Sequence, residues 1–244
     1  MFKFFRKIRK NLINENKTSK YLKYAIGEII LVVLGILIAL QINNWNENRK
    51  DRILEKEYLT RIKSDLEIDQ ELLKSSTIDR YECKVECLEK GKAYNQGNYI
   101  IKDTIQFLED IGYGGVFGNV NWNLNTNTYN ELISTGNLRN IKSDHLKNSI
   151  ISYYESSNAL QISGKDYVSG YINFVNSLRP YNSKNQELNI VFDIPTMLKH
   201  LKSEEYYRLA NLELTLAHSV SRFGERLIEQ SQELVVKIDA ELEE

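Results

Sequence analysis

The side chains of this sequence that could carry out chemistry are few and widely spaced. Cys83 and Cys87 stand four residues apart, and the three histidines are isolated at His145, His200 and His218. On a helix, residues four apart hold their Cβ atoms about 5 to 6 Å from each other, farther than the roughly 3.5 to 4.5 Å of a disulfide. No histidine has the spacing of a metal-ligand set. We therefore predict structural or free thiols and no metal site, with an intersubunit disulfide as the alternative in an oxidising compartment.

The acidic pairs do not indicate catalysis. Glu204 and Glu205, and likewise Asp65 and Glu67, stand among lysines in segments with helical periodicity. Without a histidine or a nucleophile motif beside them, such pairs are typical of solvated helix faces. The sequence also contains no phosphate-binding glycine loop, no Gly-x-Ser-x-Gly elbow and no His-Glu-x-x-His motif. We predict no catalytic residue and no cofactor.

An asparagine-rich segment is where the sequence favours recognition. From Asn119 to Asn127 every second residue is asparagine, a composition that favours turns and local side-chain caps. Trp122 and Tyr129 add two large aromatic rings. In one interpretation these rings hold an irregular loop on the domain. In the other, Trp122, Asn125 and Tyr129 form a recognition loop for a ligand or an envelope partner.

The elements that position these residues are predicted to be helices. The 244 residues include only 2 prolines and 12 glycines, and 42% are hydrophobic and 27% charged, which is typical of a folded, mainly α protein. The net charge of -1 is unevenly distributed, because residues 1–23 hold eight lysines and arginines against one glutamate, which gives +7. The remainder is mildly acidic and has no basic stripe interleaved with aromatic residues, so we predict no nucleic-acid partner.

Residues 24–42 are predicted to cross a membrane. Their strongly polar members are Glu28 near one end and a glutamine at the other, and as a helix they would span about 28 Å, close to the hydrocarbon thickness of a bilayer. The preceding basic residues indicate a cytoplasmic N-terminus, and the end of the apolar run lacks a small-residue cleavage site. We expect a cytoplasmic tail at 1–23, an uncleaved transmembrane helix at 24–42 and an extracytoplasmic domain at 43–244.

One stripe of this helix is suited to a membrane interface. At 100° per residue, Glu28, Gly35 and Ala39 lie on the same face. Gly35 and Ala39 form a small-xxx-small pair that lets two helix backbones approach, while Glu28 could alternatively reach the headgroups. The predicted partners are membrane lipid and, through this stripe, a second copy of the chain or another membrane helix.

The sequence from Tyr24 to Glu47, together with the leader Phe4 to Arg9, resembles the signature of an uncharacterised single-pass inner-membrane family of Bacteroidota-type bacteria. A weaker similarity lies in residues 129–138 and 151–154. The resemblance implies an inner-membrane protein of a Gram-negative cell with a periplasmic domain of unknown function. It implies no activity.

The predicted fold is an N-terminal transmembrane helix that continues into an elongated bundle of about three long helices plus short helices. No glycine or proline lies between Gly35 and Gly91, so the anchor should continue as an amphipathic helix, with a break where Thr77 could cap a new one. We also predict a turn at Gly91 and Gly97, followed by a helix over 101–111 that the glycines of 112–115 end. Three more helices should be capped by Thr128, Ser143 and Ser203, and the helix that begins at Ser143 should run to Leu178, before Pro180. Residues Ile190 to Ile194 are predicted to be extended.

These features together predict a membrane-anchored helical interaction or sensory module of the cell envelope that acts through partner proteins. An envelope enzyme with an unfamiliar site and a purely structural envelope protein are the alternatives.

Overall fold

The computed structural model describes residues 18–116, 124–165, 169–178 and 186–243, and every regular element in these ranges is a helix. The predicted mainly α fold is confirmed. The basic leader before residue 18 and Trp122 lie outside the described residues. In chain order the elements are α1 (Thr18–Leu73), a π-helical turn (Lys74–Ile78), α2 (Asp79–Asn95), α3 (Thr104–Val116), α4 (Asn127–Ser134), a 3-10 turn (Asn137–Asn140), α5 (Asp144–Lys165), α6 (Gly170–Leu178), α7 (Gln186–Leu201) and α8 (Glu204–Glu243).

The chain forms two compact units, residues 1–55 and residues 56–244. In the first unit, α1 presents a continuous apolar surface in which the large side chains from Ile29 to Leu40 are 46% to 63% exposed. Among the described residues, one helix is long and apolar enough to cross a membrane, and none of its most apolar stretch is buried inside the protein. This exposure is compatible with a membrane anchor.

The regular α-helix is interrupted near Thr77 as predicted, but by a π-helical turn and not by a cap at Thr77. The hydroxyl of Ser75 donates to the Glu71 carbonyl at 2.9 Å, and Ser76 bonds in the same way to the Leu72 carbonyl. Such back-bonding by serine accompanies distorted helix geometry. Thr77 is fully buried, and the N-cap position of α2 is Ile78.

The second unit has a core built from α2, α3, α6, α7 and α8. Its buried members include Leu88, Phe107, Ile111, Tyr171 and Tyr206. The side chains come from helices far apart in sequence, so their burial holds the unit together as one bundle.

Gly91 has a different role from the one predicted. It lies inside α2 and not in a turn, and it is buried. A Cβ atom at this position would lie only 1.9 Å from the Tyr206 hydroxyl oxygen and 2.5 Å from Ile111 Cδ1, so only glycine fits. Gly97, with φ of 84°, does form the predicted turn.

Two of the three predicted caps are confirmed. Ser143 Oγ accepts from the Leu146 N–H at 3.2 Å, and Ser203 Oγ accepts from the Tyr206 N–H at 3.1 Å. Thr128 is not a cap, because α4 begins one residue earlier and buries it, although Gly136 ends this region with φ of 72° as expected.

Three predicted boundaries are wrong. Helix α3 continues through the glycines of 112–115 to Val116, despite their low helix propensity. Residues 190–194 are helical and not extended, because short apolar runs do not distinguish strand from helix, and α7 carries Pro195 inside it. The single helix predicted from Ser143 to Leu178 is two helices, α5 and α6, and Pro180 lies outside the described residues.

Candidate recognition site

Asn125, one of the predicted recognition residues, is bound to α1 by the carboxylate of Asp69. The Asn125 backbone N–H lies 3.0 Å from both carboxylate oxygens, and its Nδ2 donates to Oδ1 at 2.8 Å. Asp69 is only 1% exposed. Hydrogen bonds to a charged acceptor are stronger than neutral ones, so this contact fixes residues 124–126 on α1.

Burial also changes the acidity of this carboxylate. It raises the pKa of Asp69 to about 6, because the charged form loses its hydration. The two Asn125 donors oppose the shift, and the charge of Asp65 adds to it. Asp69 therefore titrates closer to neutral pH than an exposed aspartate does.

Tyr129, the second predicted residue, is stacked on Tyr154 of α5. The ring centroids are 4.2 Å apart and the planes differ by 10°, while Tyr153 meets Tyr154 edge-on at 5.2 Å. Tyr153 and Tyr154 are 2% and 4% exposed. Aromatic pairs of this kind contribute about 0.5 to 1.5 kcal/mol beyond their buried area, so the stack holds α4 on α5.

A group of polar atoms is buried beside these contacts. Asp65 Oδ2, the hydroxyls of Tyr153 and Tyr154, and Ser157 Oγ have no hydrogen-bond partner among the described residues. Burial raises the pKa of Tyr154, and the charges of Asp65 and Asp69 add to this rise. We call these five residues the aspartate–tyrosine cluster.

Ser231 of α8 lies beside Tyr153. Burial and the charge of Asp69 raise the pKa of Tyr153, and hydrogen bonding to Ser231 opposes them. The Ser231 hydroxyl accepts from Gln70 at 2.9 Å and donates to the Leu66 carbonyl at 3.4 Å, which leaves one lone pair for the Tyr153 hydroxyl. Asp65 Oδ2 and the hydroxyls of Tyr154 and Ser157 remain without a hydrogen-bond partner within the part of the chain that is described.

A second set of contacts fixes the following segment on α1. Arg61 binds Glu131 with both terminal nitrogens, at 2.6 and 3.3 Å, and the Tyr58 hydroxyl donates to Glu131 at 3.0 Å. Asn137 Nδ2 then donates to the Tyr58 hydroxyl at 3.1 Å. The hydrogen bonds from Arg61 and Tyr58 hold the pKa of Glu131 below its usual value. The Arg61 and Glu131 side chains are solvent-accessible, so their ion pair orients the segment and adds little stability.

Sequence reasoning missed Asp69, although a signal for it exists. Ile62, Leu66 and Leu73 are fully buried, and Asp69 occupies the position between Leu66 and Leu73 in the same helical stripe. A carboxylate within an apolar stripe must have an internal partner or a raised pKa. This position has both.

An ion pair is buried elsewhere in the second unit. Lys84 of α2 contacts the Glu213 carboxylate of α8, and both are 2% exposed. Ser169 donates to the other Glu213 oxygen at 2.6 Å and accepts from the Ile172 N–H at 3.0 Å, which caps α6. Since these polar groups are paired internally, they connect three helices and leave no group free for chemistry.

The two thiols differ in environment. Cys83 is exposed, whereas Cys87 is buried, and burial raises the pKa of Cys87 to about 11. Neither thiol forms a disulfide in the single chain. The intersubunit disulfide stays a prediction.

The predicted membrane interface lies on the exposed apolar part of α1. A Cβ atom at Gly35 would meet no atom within 4 Å, and Ala39 is exposed. The role of Glu28, Gly35 and Ala39 as an interface stays a prediction.

The sequence profile of a family of unknown function, DUF6090, matches residues 28–191, more than half of the chain. The chain belongs to this family. The DUF6090 match begins inside the apolar stretch of α1 and contains the whole aspartate–tyrosine cluster, with Asn125 and Tyr129, but not Ser231. Comparison with curated proteins and with solved structures returned no match.

Proposed function

We propose that this DUF6090 chain is a membrane-anchored interaction or sensory module of the cell envelope that acts through partner proteins. The proposal rests on the composition of helix α1. This one helix bears the exposed apolar stretch and, closer to its C-terminal end, Asp69, which holds residues 124–126. A change at Asp69 therefore acts on the helix that would enter the membrane.

The proposed location is the bacterial inner membrane. Residues 24–42 would span it, the basic residues 1–23 would stay in the cytoplasm, and the remaining domain would be periplasmic. The exposed apolar side chains of α1 support this placement, because water would make such a surface costly for a soluble helix. The proposed partners are lipid and a membrane helix that meets the Glu28, Gly35 and Ala39 stripe.

The exposed thiol of Cys83 gives a direct test of the topology. A membrane-impermeant maleimide should label Cys83 in intact spheroplasts, whereas Cys87 should react slowly because it is buried and protonated. Cys83→Ser is the matched control and should lose the label. Labelling only after lysis would put the domain in the cytoplasm and refute the proposed location.

The link between domain and anchor can be tested in the full-length chain. Association of the anchor would be measured with a membrane two-hybrid assay in the parent, in Asn125→Ala and in Asn173→Ala, an exposed asparagine of α6. We expect Asn125→Ala to change association by about fivefold or more, as typical couplings do, and Asn173→Ala to have no effect. Equal association in all three chains, with circular dichroism showing folded protein, would refute the proposed coupling.

A further inference from the structure

A groove of about 820 Å³ lies between α2 and α8, apart from the aspartate–tyrosine cluster. Its floor consists of Tyr81, which is 4% exposed, and of half-buried Val85, which packs against the core of the second unit. Cavities of this size with an apolar floor and a few polar groups are typical of sites for small organic molecules. The groove therefore has the dimensions of a ligand site.

The walls of the groove carry charges of both signs. Glu82 and Glu86 are one helical turn apart on α2, so both carboxylates lie on the same face of that helix. Arg222 lines the opposite wall on α8, together with Glu225. All four residues are exposed to solvent. An acidic wall thus faces a wall that carries a guanidinium group.

These four charges are not paired inside the protein. None of the ion pairs among the described residues involves them, and the lysines nearest to the acidic wall, Lys84 and Lys90, are bound to other carboxylates. Arg222 Nε donates to the His218 carbonyl at 3.4 Å, and its two terminal nitrogens have no partner in the described part of the chain. The charges are therefore available to a ligand.

A metal ion does not match this arrangement. Within the described ranges no group of three or more His, Cys, Asp or Glu side chains could hold a metal, so His218 and the glutamates of the groove do not converge on one point. Separated charges above an apolar floor instead match an organic ligand whose own charged groups are several bonds apart.

We propose that the groove between α2 and α8 binds a short peptide that contains lysine. Its ammonium groups would bind Glu82 and Glu86, its carboxylate would bind the terminal nitrogens of Arg222, and its apolar atoms would lie on Tyr81 and Val85. Three glutamates and one arginine line the groove, a formal charge of -2, which favours a cationic peptide over an acidic one.

This site would supply the sensory part of the proposed function with a class of ligand, and it rests on that function for its purpose only. Binding to the isolated protein tests the site, whereas the thiol-labelling and anchor-association experiments test the proposed function. Either can fail without the other.

The first test measures thermal unfolding of the full-length protein in detergent micelles. Samples would contain no peptide, or lysyl-alanine, alanyl-alanine or glutamyl-alanine at about 10 mM and matched ionic strength. For a dissociation constant of about 1 mM and a chain of this size, lysyl-alanine should raise Tm by about 3 to 6 °C. Alanyl-alanine should raise it less, and glutamyl-alanine should leave it unchanged.

Two arginine variants assign the binding to the groove. Arg222 and Arg226 are both exposed on α8, and each donates through Nε to the carbonyl four residues earlier at 3.4 Å, but only Arg222 lines the groove. In ligand-observed NMR titrations, Arg222→Gln should weaken the binding of lysyl-alanine by about fivefold or more, and Arg226→Gln should leave it unchanged. Both variants should fold like the parent, because surface substitutions cost little stability.

Two further comparisons identify which ligand group each wall binds. Lysyl-alaninamide lacks the carboxylate, so it should bind the parent about fivefold more weakly than lysyl-alanine, and the two peptides should bind Arg222→Gln equally. Glu86→Gln should remove the preference for lysyl-alanine over alanyl-alanine, whereas Glu89→Gln, at an exposed residue of α2 outside the groove, should retain it.

Three results would overturn the proposal. The first is an equal Tm with lysyl-alanine and with glutamyl-alanine. The second is binding of lysyl-alanine that both Arg222→Gln and Glu86→Gln leave intact. The third is a loss of binding in Arg226→Gln as large as that in Arg222→Gln, since this would place the peptide outside the groove.

Discussion

Replacing Gly91 by alanine probes a tightly packed contact between α2 and α8. The new Cβ would lie 1.9 Å from the Tyr206 hydroxyl oxygen and 2.5 Å from Ile111 Cδ1. Tyr206 cannot swing away, because it is fully buried and its hydroxyl lies 3.4 Å from that of Tyr171. Core side chains must therefore shift to accommodate the new Cβ atom.

The size of the effect follows from two opposing contributions. Alanine in place of a helical glycine favours folding by about 1 kcal/mol, whereas overpacking a dense core costs about 1 to 3 kcal/mol and more for contacts this short. At Gly91 the second contribution should win, so that unfolding free energy falls by about 1 to 2 kcal/mol and Tm by about 2 to 8 °C. Urea and thermal unfolding of the full-length protein, followed by far-ultraviolet circular dichroism, would measure both quantities.

Two comparisons make this reasoning refutable. Gly224→Ala is the matched control, because a Cβ there lies 3.1 Å from Thr77 Cγ2, a contact that a small shift relieves. Tyr206→Phe removes the atom at 1.9 Å, so the double variant with Gly91→Ala should recover part of the loss through a favourable coupling of about 0.5 kcal/mol or more. A Gly91→Ala protein as stable as the parent, or a double variant no better than the single one, would contradict the packing argument.

Three further experiments test other features of the chain. Lys84→Met should lower the unfolding free energy by about 3 to 5 kcal/mol in urea titrations, because it removes the cation that contacts the buried Glu213 carboxylate, while adding Glu213→Leu should restore most of the loss. Asp69 should contribute a fall of about 2 to 3 kcal/mol in unfolding free energy between pH 4 and pH 7, measured as the difference between the parent and Asp69→Asn, because folded Asp69, with a pKa of about 6, keeps a proton that the unfolded chain loses near its ordinary value of 3.8. Asp69→Asn should flatten this dependence, and a curve as steep as the parent's would exclude Asp69 as its source. Gly35→Ile and, separately, Glu28→Leu should weaken anchor association in a membrane two-hybrid assay, and unchanged signals would leave Glu28 as an interfacial anchor only.

Local signals explain why the helices could be predicted. Ser143 and Ser203 each supply an oxygen to an N–H three residues later, an interaction that depends on neighbouring residues alone. The apolar stripe of α1 likewise follows from its own periodicity. The extended segment predicted at 190–194 was wrong because five apolar residues fit a buried strand and a buried helix equally well.

The candidate site could be predicted only in part, because its contacts connect distant segments. Asn125 was identified from the composition around it, but its partner Asp69 lies 56 positions earlier in the chain. Tyr129 was identified as an aromatic residue beside the loop, whereas its stacking on Tyr154 depends on how α4 packs against α5. Gly91 was assigned to a turn because its neighbour across the bundle, Tyr206, cannot be inferred from local sequence.

The π-helical turn at Lys74–Ile78 has a consequence for how the length of this chain can vary. A π turn accommodates one residue more than the same turn of an α-helix, so the backbone here holds a surplus residue. Loss of exposed Ser75 would let the turn close into regular α-helix while the flanking faces keep their orientation. A one-residue deletion between Leu59 and Leu66 would instead rotate these two buried residues by about 100° relative to each other, so that they could no longer share one buried stripe. The turn between α1 and α2 is therefore a place where a homologous sequence could be one residue shorter and keep the same fold.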